Sequence, residues 1–351
     1  MKKHAWISGL ATSLIGCLTL LPCTAQADVT IQRLVHFDEV TGITAHDTTE
    51  TDYIQGDKKR EEDLRKFTGS VLGAWQKFRH EDNGAPSVDI YLVGENKHYD
   101  IDPNKKTYSV DAIYNPQQSA KQENTGGGQG QPQKQQDNDT KVTKNEFNVK
   151  ATGQSKTING FDTKEYLVTW DLETENTKTG EKSKSLMTAD LWNSTDSKLA
   201  KAQQEQMAYT QAYLKLMNLP SNPTEMAEYG LNGASINGAS ITAADRKAFL
   251  DKLHTIKGYG VTADVRWEVA GTDANGKPTN SNTQAQQGGQ PSLDSALGSL
   301  FNKKSDTPQQ QAAGTPGMTT IFHSYTEVKS VDFGAIAASQ FEAPADYKQE
   351  D

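Results

Sequence analysis

The clearest hydrophobic pattern in the chain runs from Gly153 to Ser194. After the pair Asn159-Gly160, the apolar residues Tyr166, Val168 and Trp170 alternate with polar ones. This is the period of a half-buried strand that follows a tight turn. The segment therefore predicts a hairpin whose first strand leaves the turn at Gly160.

The second strand of this hairpin has apolar side chains on both faces. One face carries Leu186, Thr188 and Trp192, and the other carries Met187, Ala189 and Leu191. Because neither face is wholly polar, both need to be covered. The pattern favours a curved sheet that wraps another element, and we expect Trp170 and Trp192 to lie on the wall of its concave side.

Shorter strand signals flank this hairpin on both sides. They occupy residues 29–37, 43–54, 88–93, 97–101, 106–113, 147–151, 258–269 and 319–328. Short strands separated by Gly, Asn, Asp and Pro are typical of an antiparallel meander. We interpret the charged block at 58–63 as a solvated strand end, since its charges neutralise one another.

Two segments show helical spacing. From Ser197, which can cap a helix, a broad apolar stripe continues to about Asn218. Thr242 and Asp245 resemble a capping box that opens a second helix through Leu253. The fold class is therefore α+β, a curved antiparallel β-sheet with helices packed on its concave face.

Two long segments have no apolar periodicity. Residues 115–141 and 272–317 are rich in Gln, Gly, Asn and Pro, a composition that cannot bury enough surface to offset its ordering entropy. We predict that both are disordered insertions. Strand signals continue after each of them, so residues 28–351 are interpreted as one β-rich domain.

The first 27 residues are expected to be a cleaved signal peptide. Lys2 and Lys3 precede a short apolar core, and Ala25-Gln26-Ala27 is a small-x-small cleavage site. A lipoprotein signal at Cys23 is the alternative, but Pro22 stands where such a signal has a small residue. The sequence thus predicts export to the periplasm or beyond.

Cleavage would leave an acidic chain without cysteine. Both cysteines, Cys17 and Cys23, lie in the removed segment, which excludes disulfides, thiolate metal sites and cysteine nucleophiles. Loss of Lys2 and Lys3 takes the formal net charge from −9 to −11. This charge opposes binding to nucleic acid.

The sequence contains no recognisable catalytic or cofactor motif. It has no nucleophile elbow, zinc helix or phosphate loop. The spacing of four residues is similar to that of a calcium-binding loop: Asp100, Asp102, Asn104 and Asp111. However, Lys105 stands where such a loop needs glycine. An ordinary β-turn is the simpler interpretation. We therefore expect that the protein is not an enzyme and that it binds neither a cofactor nor a metal ion.

One amphipathic segment interrupts the second insertion. Leu293, Leu297, Leu300 and Phe301 follow helical spacing after Ser292, which can act as a cap. A helix this short is marginal in water, so it either forms transiently without a partner or docks as a tethered lid on the domain's own apolar groove or on another protein.

Several short motifs resemble those of a bacterial family of secreted proteins of unknown function. They are Lys156 to Phe161, Leu191-Trp192, Tyr53 to Lys58, Tyr99 to Tyr108, and the terminal pattern of Ser339, Phe341, Glu342, Pro344 and Tyr347. That family is similar to the outer-membrane lipoprotein carriers of the LolA and LolB type.

The resemblance implies an open half-barrel with a helix-plugged apolar cavity that accepts acyl chains. No ligand residue of the carriers can be mapped onto this sequence, so the expected lining comes from the apolar alternation of the strands and is Tyr166, Val168, Trp170, Trp192 and Trp267. The implied function is a non-enzymatic periplasmic binding protein for a lipid or a lipoprotein acyl chain. The alternative is an envelope interaction or assembly protein that binds partner proteins through its two insertions and holds no lipid.

Overall fold

A computed structural model describes residues 28–38, 40, 45–68, 85–115, 140–219, 235–236, 239–240, 243–272, 315 and 317–350. Within these residues, twelve strands form one large, open, curved sheet. Its pairings are antiparallel except for the last short strand, which makes the sheet mixed. The expectation of a wholly antiparallel sheet is wrong in this one place.

The strands of the first half of the chain are short and follow one another closely. They are β1 (Val29–Phe37), β2 (His46–Gln55), β3 (Lys58–Phe67), β4 (Ser87–Leu92), β5 (Lys97–Asp102) and β6 (Thr107–Asp111). They pair in sequence order, each with the next, as the meander predicted.

The second half begins with three long strands and a helix. These are β7 (Thr140–Ile158), β8 (Phe161–Asn176), β9 (Lys182–Ser194) and α1 (Ser197–Leu216). The remaining elements are β10 (Ser235–Ile236), β11 (Ala239–Ser240), α2 (Ala243–Leu253), β12 (Tyr259–Thr272), β13 (Thr319–Phe333) and β14 (Lys348–Gln349). The strand order of the sheet is β14-β6-β5-β4-β3-β2-β1-β13-β12-β9-β8-β7, and β10 and β11 pair apart from it.

The turn that opens the central hairpin has the geometry its sequence demands. Asn159 and Gly160 both take positive φ, at 48° and 84°, which a two-residue type I′ hairpin turn requires. The Asn159 amide also donates to Glu327 and to the carbonyl of Val328, both at 2.7 Å. The turn therefore ties the β7–β8 hairpin to β13, which lies three strands away from β8 in the sheet.

The interpretation of the charged block at 58–63 as a solvated strand end is wrong. Residues 58–63 are not a solvated strand end but open a ten-residue strand between β2 and β4. Their charges are paired within the sheet: Arg60 lies 2.6 Å from Glu62, and Lys59 lies 3.2 Å from Asp52. Neutralised charges thus allow a very polar sequence to occupy an internal strand.

Helix α1 is capped one residue earlier than its sequence suggested. The side chain of Asp196, not Ser197, accepts a hydrogen bond from the backbone N–H of Lys198 at 2.7 Å. Leu199 and Ala202 are fully buried against Val29 and Ile31 of β1. This contact fixes α1 across the middle of the sheet, where it touches β1, β2, β12 and β13.

Both helices lie on the same face of the sheet. On β1, Ile31 and Val35 share a face, and Ile31 packs in the cluster that includes α1. Val35 is linked by direct pairing through β13 and β12 to Leu191 of β9. Leu191 packs in the cluster that includes Phe249 of α2. We call this side of the sheet the helix face.

The opposite face is covered at one end by the C-terminal segment. Phe341 is buried against Val88, Ile90 and Leu92 of β4 and against Ile101 of β5. The segment then ends in β14, which runs parallel to β6. None of the described helices is long and apolar enough to cross a membrane.

Candidate functional site

A row of seven large apolar side chains and one histidine crosses the helix face at one end of the strands. It takes one residue from each of eight adjacent strands. In sheet order these are Phe67, His46, Phe37, Phe322, Trp267, Met187, Trp170 and Phe147. We call this set the aromatic row. Phe37 places it on the helix face, since Phe37 is two residues from Val35 on β1.

The first half of the row is a chain of ring contacts. Phe67 pairs directly with His46, and their ring centroids are 5.9 Å apart. His46 pairs with Phe37 and stacks on it at 4.8 Å, and Phe37 meets Phe322 edge-on at 6.0 Å. Offset and edge-on contacts at these distances are the favourable aromatic geometries.

The second half of the row is held by strand register. Phe322 pairs directly with Trp267, Trp267 with Met187, and Met187 with Trp170. The two indole N–H groups are satisfied inside the sheet, because Trp267 donates to the Ser185 hydroxyl at 2.6 Å and Trp170 donates to the Asn145 amide at 2.9 Å. The rings are therefore fixed in orientation.

Helix α2 covers the last strands of the row. The Phe249 ring lies 4.1 Å from that of Phe147 and 5.7 Å from that of Trp170. Phe147 is consequently buried, whereas the other seven members of the row are only half-buried. A continuous line of partly exposed apolar side chains on one face is the kind of surface that binds apolar ligands or partners.

Four of the five predicted cavity residues lie on this face. Trp170 and Trp267 belong to the aromatic row. Val168 is almost fully buried in the cluster beneath α2, and the hydroxyl of Tyr166 accepts a hydrogen bond from the backbone N–H of Lys257 just beyond α2. The last two residues form the packed floor beside the row and have little exposed surface.

Trp192 lies on the opposite face, and the expectation that it shares a wall with Trp170 is wrong. In the unbroken register between β8 and β9, Trp170 pairs with Met187, whereas Trp192 pairs with Glu165. Residues separated by an odd number of positions point to opposite sides of a strand. The Trp192 ring is covered by the ammonium group of Lys156, 3.7 Å from its centroid, so it belongs to the packing of the β7–β8 hairpin.

The predicted lid residues cannot be placed. Leu293, Leu297, Leu300 and Phe301 lie outside the described residues, as does nearly all of both predicted insertions. Their docking on the apolar face stays a prediction.

Six members of the row were not singled out as site residues in the sequence. They are Phe37, His46, Phe67, Phe147, Met187 and Phe322. Alternation within a strand can mark a residue as facing one side, but it does not show which residues of other strands lie beside it. Only the arrangement of the strands brings the six together, and it places the rings of Phe37 and Phe322 in contact.

A second row on the helix face is acidic. Asp52, Glu61, Asp89 and Asp100 are direct neighbours on β2 to β5. Like charges in such positions repel, and they are offset here by Arg33, 2.6 Å from Asp52, and by Lys59, which contacts Asp52 and Glu61.

Separation and charge distinguish this acidic row from the aromatic row. Glu61 and Phe67 are six residues apart on β3, which corresponds to about 20 Å along the strand. Next to the acidic row, burial and then the charge of Asp63 raise the pKa of Glu50. Among the described residues, no group of three or more His, Cys, Asp or Glu side chains is arranged to hold a metal ion. The acidic row is thus an ion-pair network that disfavours negatively charged ligands.

Comparisons with known proteins leave the aromatic row as the main guide to function. No protein-family model, no curated protein and no solved structure matches the chain. The resemblance to the lipoprotein carriers therefore stays an expectation from short motifs, and any functional assignment depends on the geometry of the sheet.

Proposed function

We propose that this protein is a non-enzymatic binding protein of the cell envelope that holds an acyl chain of a lipid or lipoprotein along the aromatic row. In this proposal the helix face is the concave face of a half-barrel, and α1 and α2 partly fill it. The predicted signal peptide would bring the chain to the compartment where such ligands are carried.

The observation that carries the proposal is the continuity of the aromatic row. Six half-buried apolar side chains and the His46 ring stand next to one another on seven adjacent strands. Each aromatic side chain can remove a large apolar area from water when something packs against it, and burial of apolar area is worth roughly 25 cal/mol per Å². A ligand without polar groups along its length is the occupant that gains most from this surface.

The length of the row suits an extended chain. Neighbouring strands are about 4.8 Å apart, so eight strands span about 33 Å. Each leaflet contributes half of a hydrocarbon core about 30 Å thick, so a lipid tail reaches about 15 Å. The row is therefore long enough for a whole acyl chain laid across the strands, with its polar head beyond one end.

Native mass spectrometry of the gently purified protein tests the proposal. We expect a bound lipid on the wild-type protein that is lost or strongly reduced in Met187→Gln and in Phe322→Gln. Met187→Gln places an amide in the row at similar side-chain size, and Phe322→Gln does so with a smaller side chain. A buried amide without a hydrogen-bond partner opposes an apolar neighbour.

The matched control is Leu167→Gln. Leu167 lies on β8 but on the opposite face, where it pairs with Asp190 and is 38% exposed. We expect this variant to retain lipid like the wild type. If the wild-type protein carries no lipid and binds no added fatty acid, or if all three variants lose lipid equally, the proposed function is wrong.

A further inference from the structure

Five titratable side chains form an unbroken ladder on the face opposite the aromatic row. His323 lies between Asp264, 2.9 Å from its Nε2, and Asp38, 2.6 Å from its Nδ1. His36 lies between Asp38, 3.0 Å from its Nε2, and Asp47, 2.6 Å from its Nδ1. We call this set the histidine ladder. It connects β12, β13, the residue after β1, and β2.

In the ladder both nitrogens of each imidazole face carboxylates. A neutral imidazole has one donor and one acceptor, and an ionised carboxylate only accepts. Each ring nitrogen lies within hydrogen-bond distance of a carboxylate oxygen. For His36 to donate to both Asp47 and Asp38, its ring must carry a proton on each nitrogen. Loss of one of these protons would leave one of the two carboxylates facing a lone pair of the ring.

The ladder and the aromatic row are built on the same strand ends. His36 and Asp38 flank Phe37, and His323 directly follows Phe322. Asp47 likewise follows His46, which stacks on Phe37. Because successive residues point to opposite faces, the ladder lies directly behind this part of the row. Anything that separates the ladder residues also moves the backbone that carries the rings.

The electrostatics favour the doubly protonated form of the His36 ring. Burial lowers the pKa of His36, but its hydrogen bonds with Asp47 and Asp38 raise the pKa by more, so it lies above 6.5. Burial raises the pKa of Asp38, but hydrogen bonds from His323 and His36 lower it below 3.8. The contribution of His36 to stability is complete below pH 6.5 and is lost as the pH rises through its folded-state pKa.

Other charged or titratable groups face the ladder from the neighbouring strands. On β12, Arg266 pairs directly with His323, and on β3 the exposed Lys66 pairs with Asp47. On β9, Asp190 pairs directly with Asp264, and burial followed by the charge of Glu165 raises the pKa of Asp190. On β13, Tyr325 is the direct partner of His36, and burial followed by Glu327 raises its pKa to about 12. Above pH 6.5 the ladder therefore depends on the second ring proton of His36.

We propose that the histidine ladder is a proton-operated clasp that holds this end of the sheet closed while the His36 ring carries both protons and opens it when that ring loses one of them. Opening separates β1 from β2 and β13 at the ladder and displaces Phe37 within the aromatic row. The consequence for ligand release rests on the proposed function, whereas the clasp itself does not.

Nuclear magnetic resonance of the imidazole groups tests the clasp without any ligand. We expect the His36 ring in the wild-type protein to stay doubly protonated above pH 6.5, and Asp38→Asn to move its titration down towards 6.5. Replacing His36 with Gln assigns the signal, and His254→Gln on the loop after α2 serves as a control that leaves it unchanged. A wild-type His36 that titrates at or below 6.5 overturns the proposal.

Hydrogen exchange measures whether the strands separate. After correction for the intrinsic effect of pH, we expect the amides of residues 34–38 and 322–325 to lose protection at least tenfold between pH 6 and pH 9. The amides of β5, which lies four strands from β1, should not change. An equal loss in both regions, or the same loss in the Asp38→Asn variant as in the wild type, overturns the proposal.

Ligand binding at the two pH values separates this inference from the proposed function. If fatty acid binds at pH 6 and at least tenfold more weakly at pH 9, the clasp controls the row. Equal affinity at both pH values overturns that control. A protein that binds no fatty acid at either pH refutes the proposed function, but the titration and exchange results still decide the clasp.

Discussion

Two neighbouring carboxylates on the face opposite the aromatic row each have one buried oxygen without a hydrogen-bond partner. One oxygen of Glu165 and one of Asp190 have no hydrogen-bond partner, and Glu165 is only 8% exposed. Burial and then the charge of Glu165 raise the pKa of Asp190. A group with a raised folded-state pKa makes the folded state less favourable once it is ionised, so this pair costs stability at neutral pH.

We expect Glu165→Gln to stabilise the protein. The substitution removes one of the two like charges, and the new amide N–H can donate to the free oxygen of Asp190. A hydrogen bond of this kind is worth about 1 kcal/mol. The free energy of urea unfolding at pH 7 should rise by about that amount, and the gain should shrink as the pH falls and Asp190 becomes protonated.

A control on the same strand distinguishes this effect from a general loss of negative charge. Glu173 lies on the same face of β8 as Glu165, but it is paired with Lys184 at 3.2 Å. Glu173→Gln should leave stability unchanged or lower it by up to about 1 kcal/mol. If both variants gain stability equally, the explanation by the buried pair is wrong.

At the scale of elements, the connection from α2 to β12 depends on a glycine. Gly258 has a φ of 83°, and a Cβ added there would lie 2.3 Å from the carbonyl oxygen of Ser194. The side chain of Asn193 also donates to the carbonyl of Gly258 at 3.2 Å. The close approach lets β12 pair with β9 from Tyr259 onwards, and so it sets the register that places Trp267 beside Met187.

We expect Gly258→Ala to destabilise the protein more than Gly153→Ala. Both glycines have a φ of 83°, so both substitutions carry the backbone cost of about 1–2 kcal/mol for alanine in a left-handed conformation. Nothing lies within 4 Å of a Cβ at Gly153. The steric clash at Gly258 should add about 1–3 kcal/mol, measured as the difference in the free energy of unfolding. Equal losses would contradict the close contact.

The elements themselves could largely be predicted from alternation and turn residues. The hairpin at Asn159-Gly160, the three strands between Ser87 and Asp111, and both helices lie where the sequence places them. The charged strand β3 could not be recognised, because its residues 58–63 are polar on both faces and only its partners on β2 and β4 explain how their charges are neutralised.

The placement of side chains relative to one another could be predicted only within one strand or hairpin. Alternation puts Trp170 and Trp192 each on a face of its own strand, but the β8–β9 register decides that the two faces are opposite. Likewise, Phe37 and Phe322 are 285 positions apart, and nothing in either local sequence indicates that their rings meet. Register depends on contacts between distant segments, which one sequence does not display.

At the scale of the whole molecule, the sheet separates two chemistries at one end. Its helix face carries the aromatic row, and its other face carries the histidine ladder behind Phe37, His46 and Phe322. We propose that the first surface holds an apolar chain and that the second controls how firmly the strands beneath it are joined. Helix α1 packs on the helix face against β1, and α2 packs there over the last strands of the row.

Quenching of single tryptophans by a dibrominated fatty acid is the most direct test of the aromatic row. The full chain would keep either Trp267 or Trp192, with its other tryptophans replaced by Phe. Bromine quenches a ring only in contact, so we expect bound fatty acid to quench Trp267 by at least half and to leave Trp192, on the opposite face, unchanged. Equal quenching of both, or quenching of Trp192 alone, would contradict binding along the row.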